Sequence, residues 1–246
     1  MRFTILTLFP GIFEGFLQGS LLGKAIVQKD LQVDVVDLRE YASGKHRVTD
    51  DAPFGGGVGM VLKPEPIVKA VEAHRISKDK SCTVLLTPRG ELFSQSLARE
   101  MGSFQQLLLI CGRYEGVDER VTELVVDREV SIGDYVLMGG EVAAMVVMEG
   151  VARYSPGVVG DPGSVAEDSL SSGLLKYPQY TRPQEYRGLR VPELLLRGNH
   201  REIERWRRRE ALRLTLRRRS DLVNPNQLSS RDLELLKEIQ MEGDKS

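Results

Sequence analysis

The sequence predicts an α/β domain built on a mainly parallel sheet, followed by a small all-helical domain. Three observations carry this reading. Over the first 150 residues, short runs rich in Val, Ile and Leu alternate with helix-like segments. Between 155 and 176 the composition turns to Gly, Pro, Ser and Asp, with little to bury. Beyond that stretch, apolar residues return at helical spacing among many arginines. The expected divisions are an α/β domain at 1–160, a linker or mobile loop at 161–176 and a helical domain at 177–246.

Strands are expected at 2–8, 32–38, 82–87, 106–111 and 125–131, each a β-branched or leucine-rich run. Between them lie helices at 21–28, with Ser20 as its cap, and at 65–75, with Pro64 at the first helical position. Segments 94–101 and 117–124 continue the alternation. Residues 141–154 are nearly all apolar, which suits either a core helix or a helix at an interface. In the C-terminal part, Asn199 precedes a long helix at 200–219. Its Ile203, Trp206, Leu212 and Leu216 form a rough apolar stripe. Ser229-x-x-Asp232 resembles a capping box opening a last helix that ends near Met241.

Composition narrows the class. The 246 residues are 41% hydrophobic and 28% charged, which excludes a disordered chain, a collagen and a disulfide scaffold. The longest apolar run, 142–148, is far short of the ~20 residues that cross a bilayer, so no membrane partner is expected. The apolar start reads as a first strand, because no small-residue cleavage site follows it. Cys82 and Cys111 stand apart inside apolar runs, as reduced thiols of a cytoplasmic protein do. The net charge of −1 conceals a segregation: residues 176–219 carry 14 Lys and Arg against 5 Asp and Glu. Such a block suits a polyanionic partner, although a solvated basic helix has the same composition.

Glycines gather at 55–59, 112–116 and 133–140, and the last two groups follow expected strands. In open α/β sheets ligands bind beyond the carboxyl ends of strands, where glycine lets the backbone come close. Ordinary turns have the same composition, but three such loops favour a ligand site. Neither familiar nucleotide motif is present. Gly11-x-x-x-Gly15 does not match the dinucleotide pattern, and Gly19–Lys24 lacks the spacing and hydroxyl of a phosphate loop. His46, His74 and His200 share no metal-ligand spacing.

Five segments together resemble one family. They are Asp50-Asp51-Ala52-Pro53-Phe54-Gly55-Gly56-Gly57-Val58-Gly59-Met60, the run from Cys111 through Arg120, and Ser131-Ile132-Gly133-Asp134-Tyr135-Val136-Leu137. Tyr177-Pro178-Gln179-Tyr180-Thr181-Arg182-Pro183 and Gly198-Asn199-His200 complete the set. In order and across the whole chain, they resemble the bacterial tRNA (guanine-N1)-methyltransferases, the TrmD family of the SPOUT class. The resemblance implies a parallel sheet tied in a deep trefoil knot, a feature that spacing and periodicity do not reveal. It also implies methyl transfer from S-adenosylmethionine to N1 of guanosine 37 in tRNA, by a homodimer whose active sites are shared between subunits.

The implied donor site comprises Leu86, Pro88, Gly112, Tyr114, Glu115, Ile132, Gly133, Asp134, Tyr135, Val136, Leu137, Gly139 and Gly140. Asp168 and Arg153 match the family's catalytic pair. Without the resemblance, Asp168 reads as a solvated acid in a polar loop. The family's use of magnesium makes Glu115 and Asp168 candidate oxygen ligands, although no local spacing marks a metal site. Thr87-Pro88-Arg89-Gly90 and Leu137-Met138-Gly139-Gly140 depart from the usual Ser-Pro-Gln-Gly and Leu-Ser-Gly-Gly, and Phe54 stands where tyrosine is common. The alternatives are a DNA-binding regulator, which has no need of three glycine loops, and a nucleotide-dependent oxidoreductase, which lacks its fingerprint. DNA is therefore not an expected partner.

Overall fold

A computed structural model describes residues 1–160, 168–170 and 173–243. The chain forms two compact units, Met1–Gly160 and Asp161–Ser246. Of the stretch read as a linker, residues 161–167 and 171–172 lie outside the described residues.

The first unit is built on five parallel strands: β1 (Arg2–Thr7), β2 (Gln32–Asp37), β3 (Ser81–Leu92), β4 (Gln106–Cys111) and β5 (Arg128–Ser131). Their spatial order is β2-β1-β4-β3-β5. Every residue of central β4 is buried, as expected where helices cover both faces of a parallel sheet. Alternation along β1 divides the core. Phe3 and Ile5 join Leu107 and Leu109 on one face, whereas Leu6 joins Leu108 and Ile110 on the other.

The helices of this unit are α1 (Glu14–Gln18), α2 (Ser20–Val27), α3 (Pro64–His74), α4 (Gln95–Met101), α5 (Glu119–Val125) and α6 (Glu141–Ala152). Apolar residues of α2, α4 and α6 cover the first face, and those of α3 and α5 the second. Ser94 caps α4 by accepting from the Leu97 N–H, and Asp118 caps α5 by accepting from Arg120. Ser20 makes no cap. It lies inside α2 with a positive φ, behind a Gly19 that offers no side chain.

β3 is longer than its apolar run. It continues through Thr87-Pro88-Arg89-Gly90, slipping register against β5 between Leu86 and Glu91. A Cβ on Gly90 would lie 2.6 Å from the Glu129 carbonyl oxygen, so only glycine allows that approach. β5 in turn begins at Arg128, because Val125 still belongs to α5. Two short hairpins are also present, Asp50–Asp51 against Val61–Leu62 and Glu185–Tyr186 against Leu189–Arg190. Both cysteines lie within strands and are buried. Burial pushes the Cys82 thiol up to about 11 and raises that of Cys111 as well.

In the second unit, α7 (His200–Arg218) packs on α8 (Ser230–Gly243) through Leu212, Ala211, Leu235 and Leu236, joined by Leu174. Asn199 precedes α7 without a side-chain cap bond. The capping box of α8 forms reciprocally: Ser229 Oγ accepts from the Asp232 N–H at 3.2 Å, and Asp232 accepts from the Ser229 N–H at 3.1 Å. Arg208 reaches from α7 to both oxygens of Asp232 and holds that carboxyl down at about 2.

Among the described residues, no helix is long and apolar enough to cross a membrane.

Candidate functional site

The loops that leave β4 and β5 meet over the carboxyl ends of those strands. Main-chain pairing laces them together: the Gly140 N–H donates to the Gly112 carbonyl at 2.9 Å, and Arg113 pairs antiparallel with Gly139. A Cβ at Gly140 would stand 2.7 Å from the Cα of Cys111, so this crossing requires glycine.

Between the loops lies a cavity of about 330 Å³. Leu86 and Pro88 of β3 form its floor with Ala143. Gly112, Tyr114 and Glu115 border it on one side, and Ile132, Gly133, Tyr135, Val136, Leu137, Gly139 and Gly140 border the other. Its glycines offer only main-chain donors and acceptors, set between apolar side chains. With Glu115 also in the wall, that combination suits a small ligand that has both apolar and polar or charged parts.

Asp134 alone among the expected donor residues does not border the cavity. The Tyr135 N–H donates to the Gly133 carbonyl at 2.9 Å, closing a tight turn that leaves Asp134 exposed. Tyr114 keeps its place with a φ of 60°, a left-handed conformation that costs a bulky residue energy.

Arg113 and Arg89 also line the cavity, beyond the residues singled out from the sequence. The Arg113 guanidinium lies 2.9 Å from Glu141, whose side chain is only 2% exposed. Glu141 also accepts from Thr7 Oγ1 at 2.8 Å. Arg113 stacks over the Phe9 ring at 4.4 Å and donates to the Met138 carbonyl at 3.3 Å. One side chain therefore ties both loops to the start of α6. Arg89, the departure from the usual Ser-Pro-Gln-Gly, has its charge answered by Glu119 and Glu129, each at 2.7 Å.

The expected catalytic residues belong to different units. Arg153 follows α6 as its C-terminal cap and is exposed. In the second unit, Asp168 is partly buried, with Lys176 Nζ 3.7 Å from its Oδ1.

The family model described as tRNA (Guanine-1)-methyltransferase TrmD matches residues 1–225. The chain belongs to this family. It is 50% identical over 244 residues to the tRNA (guanine-N(1)-)-methyltransferase of Geobacter sulfurreducens, covering 99% of this chain and all of that one. The protein of the same name from Anaeromyxobacter dehalogenans is 55% identical over 234 residues, 94% of each chain. That from Moorella thermoacetica is 52% identical over 241 residues, covering 97% and 96%. The methyltransferase thus carries its cavity where two glycine loops meet, at the carboxyl ends of β4 and β5, the two strands that flank β3.

Proposed function

We propose that this methyltransferase moves the methyl group of S-adenosylmethionine to N1 of guanosine 37 in tRNA. The cavity between the crossed loops is the observation that carries the donor assignment. Its volume lies within the range of small-molecule sites, and Gly112, Gly133, Gly139 and Gly140 bring main chain to its wall. S-Adenosylmethionine supplies an electrophilic methyl group on a sulfonium, and the protein has to bind it and activate the acceptor. The walls would be those named above: Leu86, Pro88, Gly112, Tyr114, Glu115, Ile132, Gly133, Tyr135, Val136, Leu137, Gly139 and Gly140.

Guanine N1 carries a proton and is a weak nucleophile until that proton leaves. In this reading Asp168 accepts it as general base. The negative charge then gathering on guanine O6 is met by Arg153, whose guanidinium stays charged throughout. Among the described residues, no three His, Cys, Asp or Glu side chains gather as a metal site; magnesium would need only one or two carboxylates, such as Glu115 or Asp168, with water and substrate oxygens. Label transfer from methyl-labelled S-adenosylmethionine to a defined tRNA transcript tests the reading. Labelled N1 at position 37 is the expected product, and transfer to no tRNA would overturn it.

The second unit is the proposed tRNA grip. Its arginines divide into two sets. Arg205, Arg208, Arg209 and Arg213 face acids of α8 or their own helix and are paired with Glu238, Asp232, Glu242 and Glu210. Among the described residues, Arg217 and Arg218 have no ion pair, and Arg207 only stacks on Tyr177 at 5.1 Å. Phosphate contacts by the second set would release counterions. Replacing Arg207, Arg217 and Arg218 with glutamine should therefore weaken tRNA binding and flatten its salt dependence. Replacing Arg205 and Arg213 should leave the slope nearly unchanged, because their charge is already compensated.

We further propose a homodimer with shared active sites. Val142 and Val146 are exposed on the outer face of α6, beside the exposed Glu149, as an interface helix would leave them. A two-fold contact would place the cavity of one protomer with Asp168 of its partner. Mixing a Gly140→Val protein with an Asp168→Ala protein, each inactive, then yields hybrids holding one sound site. About a quarter of all sites should recover after full exchange. Confirmed hybrids without activity would exclude the shared site.

A further inference from the structure

Residues 53–60 form a loop whose glycines carry its shape. Gly55, Gly56, Gly57 and Gly59 all have positive φ, and the Gly56 N–H donates to the Pro53 carbonyl. Flanking these bare positions are Phe54, 100% exposed, and Val58, 91% exposed. Phe54 is the most exposed large hydrophobic side chain among the described residues. Single exposed apolar residues are common and need no explanation by themselves. The attachment of this loop sets it apart.

The chain leaving the loop is bonded directly to the wall of the donor cavity. The Glu115 N–H donates to the Met60 carbonyl, the Leu62 N–H to Gly116 and the Asp118 N–H to Leu62, each at 3.0 Å. Gly59 lies so close to Glu115 that a Cβ there would meet the Glu115 side chain at 2.6 Å. The C-terminal end of the loop is thus anchored to one wall of the cavity. The exposed residues Lys45, His46 and Arg47 lie just before the short hairpin that carries it.

Resting on the function proposed above, the chemistry at this place has a further requirement. The N1 atom lies on the pairing edge of a base stacked between two neighbours. Enzymes acting on such a base take it out of the stack, and the energy lost must be recovered from the protein. Apolar side chains inserted between bases commonly do this, and an aromatic ring does it without regard to sequence. We propose that Phe54, flanked by Val58, is such a wedge: it stacks on a nucleotide neighbouring the target guanosine and holds the gap open beside the donor cavity. The glycines keep the approach clear of other side chains, and the bonds to 115–118 tether the loop beside the donor cavity.

Phe54→Ala and Phe54→Tyr proteins would be compared with the unaltered chain for donor affinity by calorimetry and for methyl transfer to tRNA. The alanine variant should lose about 5- to 150-fold in kcat/KM, the span of one base–aromatic stack, with donor affinity unchanged. The tyrosine variant should recover most of it. Two further transcripts would each lack one base, on the 5′ or the 3′ side of the target guanosine. On one of them the alanine and unaltered proteins should differ little, because the stacking partner is gone. An equal loss on all three transcripts would overturn the wedge while leaving the methyltransferase reading intact. A change of molecular mass in the alanine variant would assign Phe54 to contact between copies and also overturn it. Absence of transfer by the unaltered protein would instead sink the proposed function.

Discussion

Asp168→Asn should lower the rate of methyl transfer by about 10²–10⁴-fold, the usual contribution of a general base. Asparagine retains the size of aspartate and can accept a hydrogen bond, but it takes up no proton at neutral pH. S-Adenosylmethionine binding should be nearly unaffected, because the base acts on the guanine and not on the donor. Single-turnover measurement with saturating tRNA separates the chemical step from binding, and calorimetry measures the donor separately. A collapse of donor affinity would make Asp168 a part of the donor site. A loss confined to KM for tRNA would make it a positioning contact only.

Glu141→Gln should cost about 3 kcal/mol of folding stability, the lower end for breaking a buried ion pair. The lower end applies because Arg113 is 19% exposed and water can answer part of its charge. Glutamine can still accept from Thr7, so the loss reports mainly the unpaired guanidinium. The effect should also reach the cavity, since Arg113 ties both loops to α6. Urea unfolding gives the stability change, and donor titration of the folded fraction gives the other. Unchanged stability would mean that the Arg113 charge is answered elsewhere.

The features legible in the sequence are those that rest on local pattern. The runs Phe3–Leu6 and Leu107–Cys111 are apolar enough to announce a sheet covered on both faces, and Pro64 and Ser229-x-x-Asp232 mark helix starts by chemistry confined to a few residues. The second half of β3 was hidden because Pro88, Arg89 and Gly90 are turn residues in most settings. Here a neighbouring backbone selects glycine. Ser20 looked like a cap, but Gly19 takes that position and leaves Ser20 within the first turn.

The candidate site divides in the same way. Its glycine loops follow strands and were visible, whereas the Arg113–Glu141 pair joins residues 28 positions apart. In sequence, Glu141 is an ordinary acid in the first turn of a helix. The two classes of arginine in α7 were equally hidden, since their partners lie one helix away in α8. Only the fact that three consecutive helical positions cannot share one face required that Arg207, Arg208 and Arg209 differ.

The two buried cysteines give the molecule an internal timer. Cys82 and Cys111 sit on the adjacent strands β3 and β4, and both thiols are held protonated at neutral pH. The thiolate is the nucleophile that attacks a thiol reagent, so in the folded protein labelling must wait for the sheet to open. Under excess reagent the labelling rate therefore measures opening of the strands beneath the donor loops. Cys111 immediately precedes Gly112 and lies against the Gly140 crossing, whereas Cys82 lies at the far end of its strand. Bound donor should slow the labelling of Cys111 more than that of Cys82 if the loops open locally, and both equally if the sheet opens as one body.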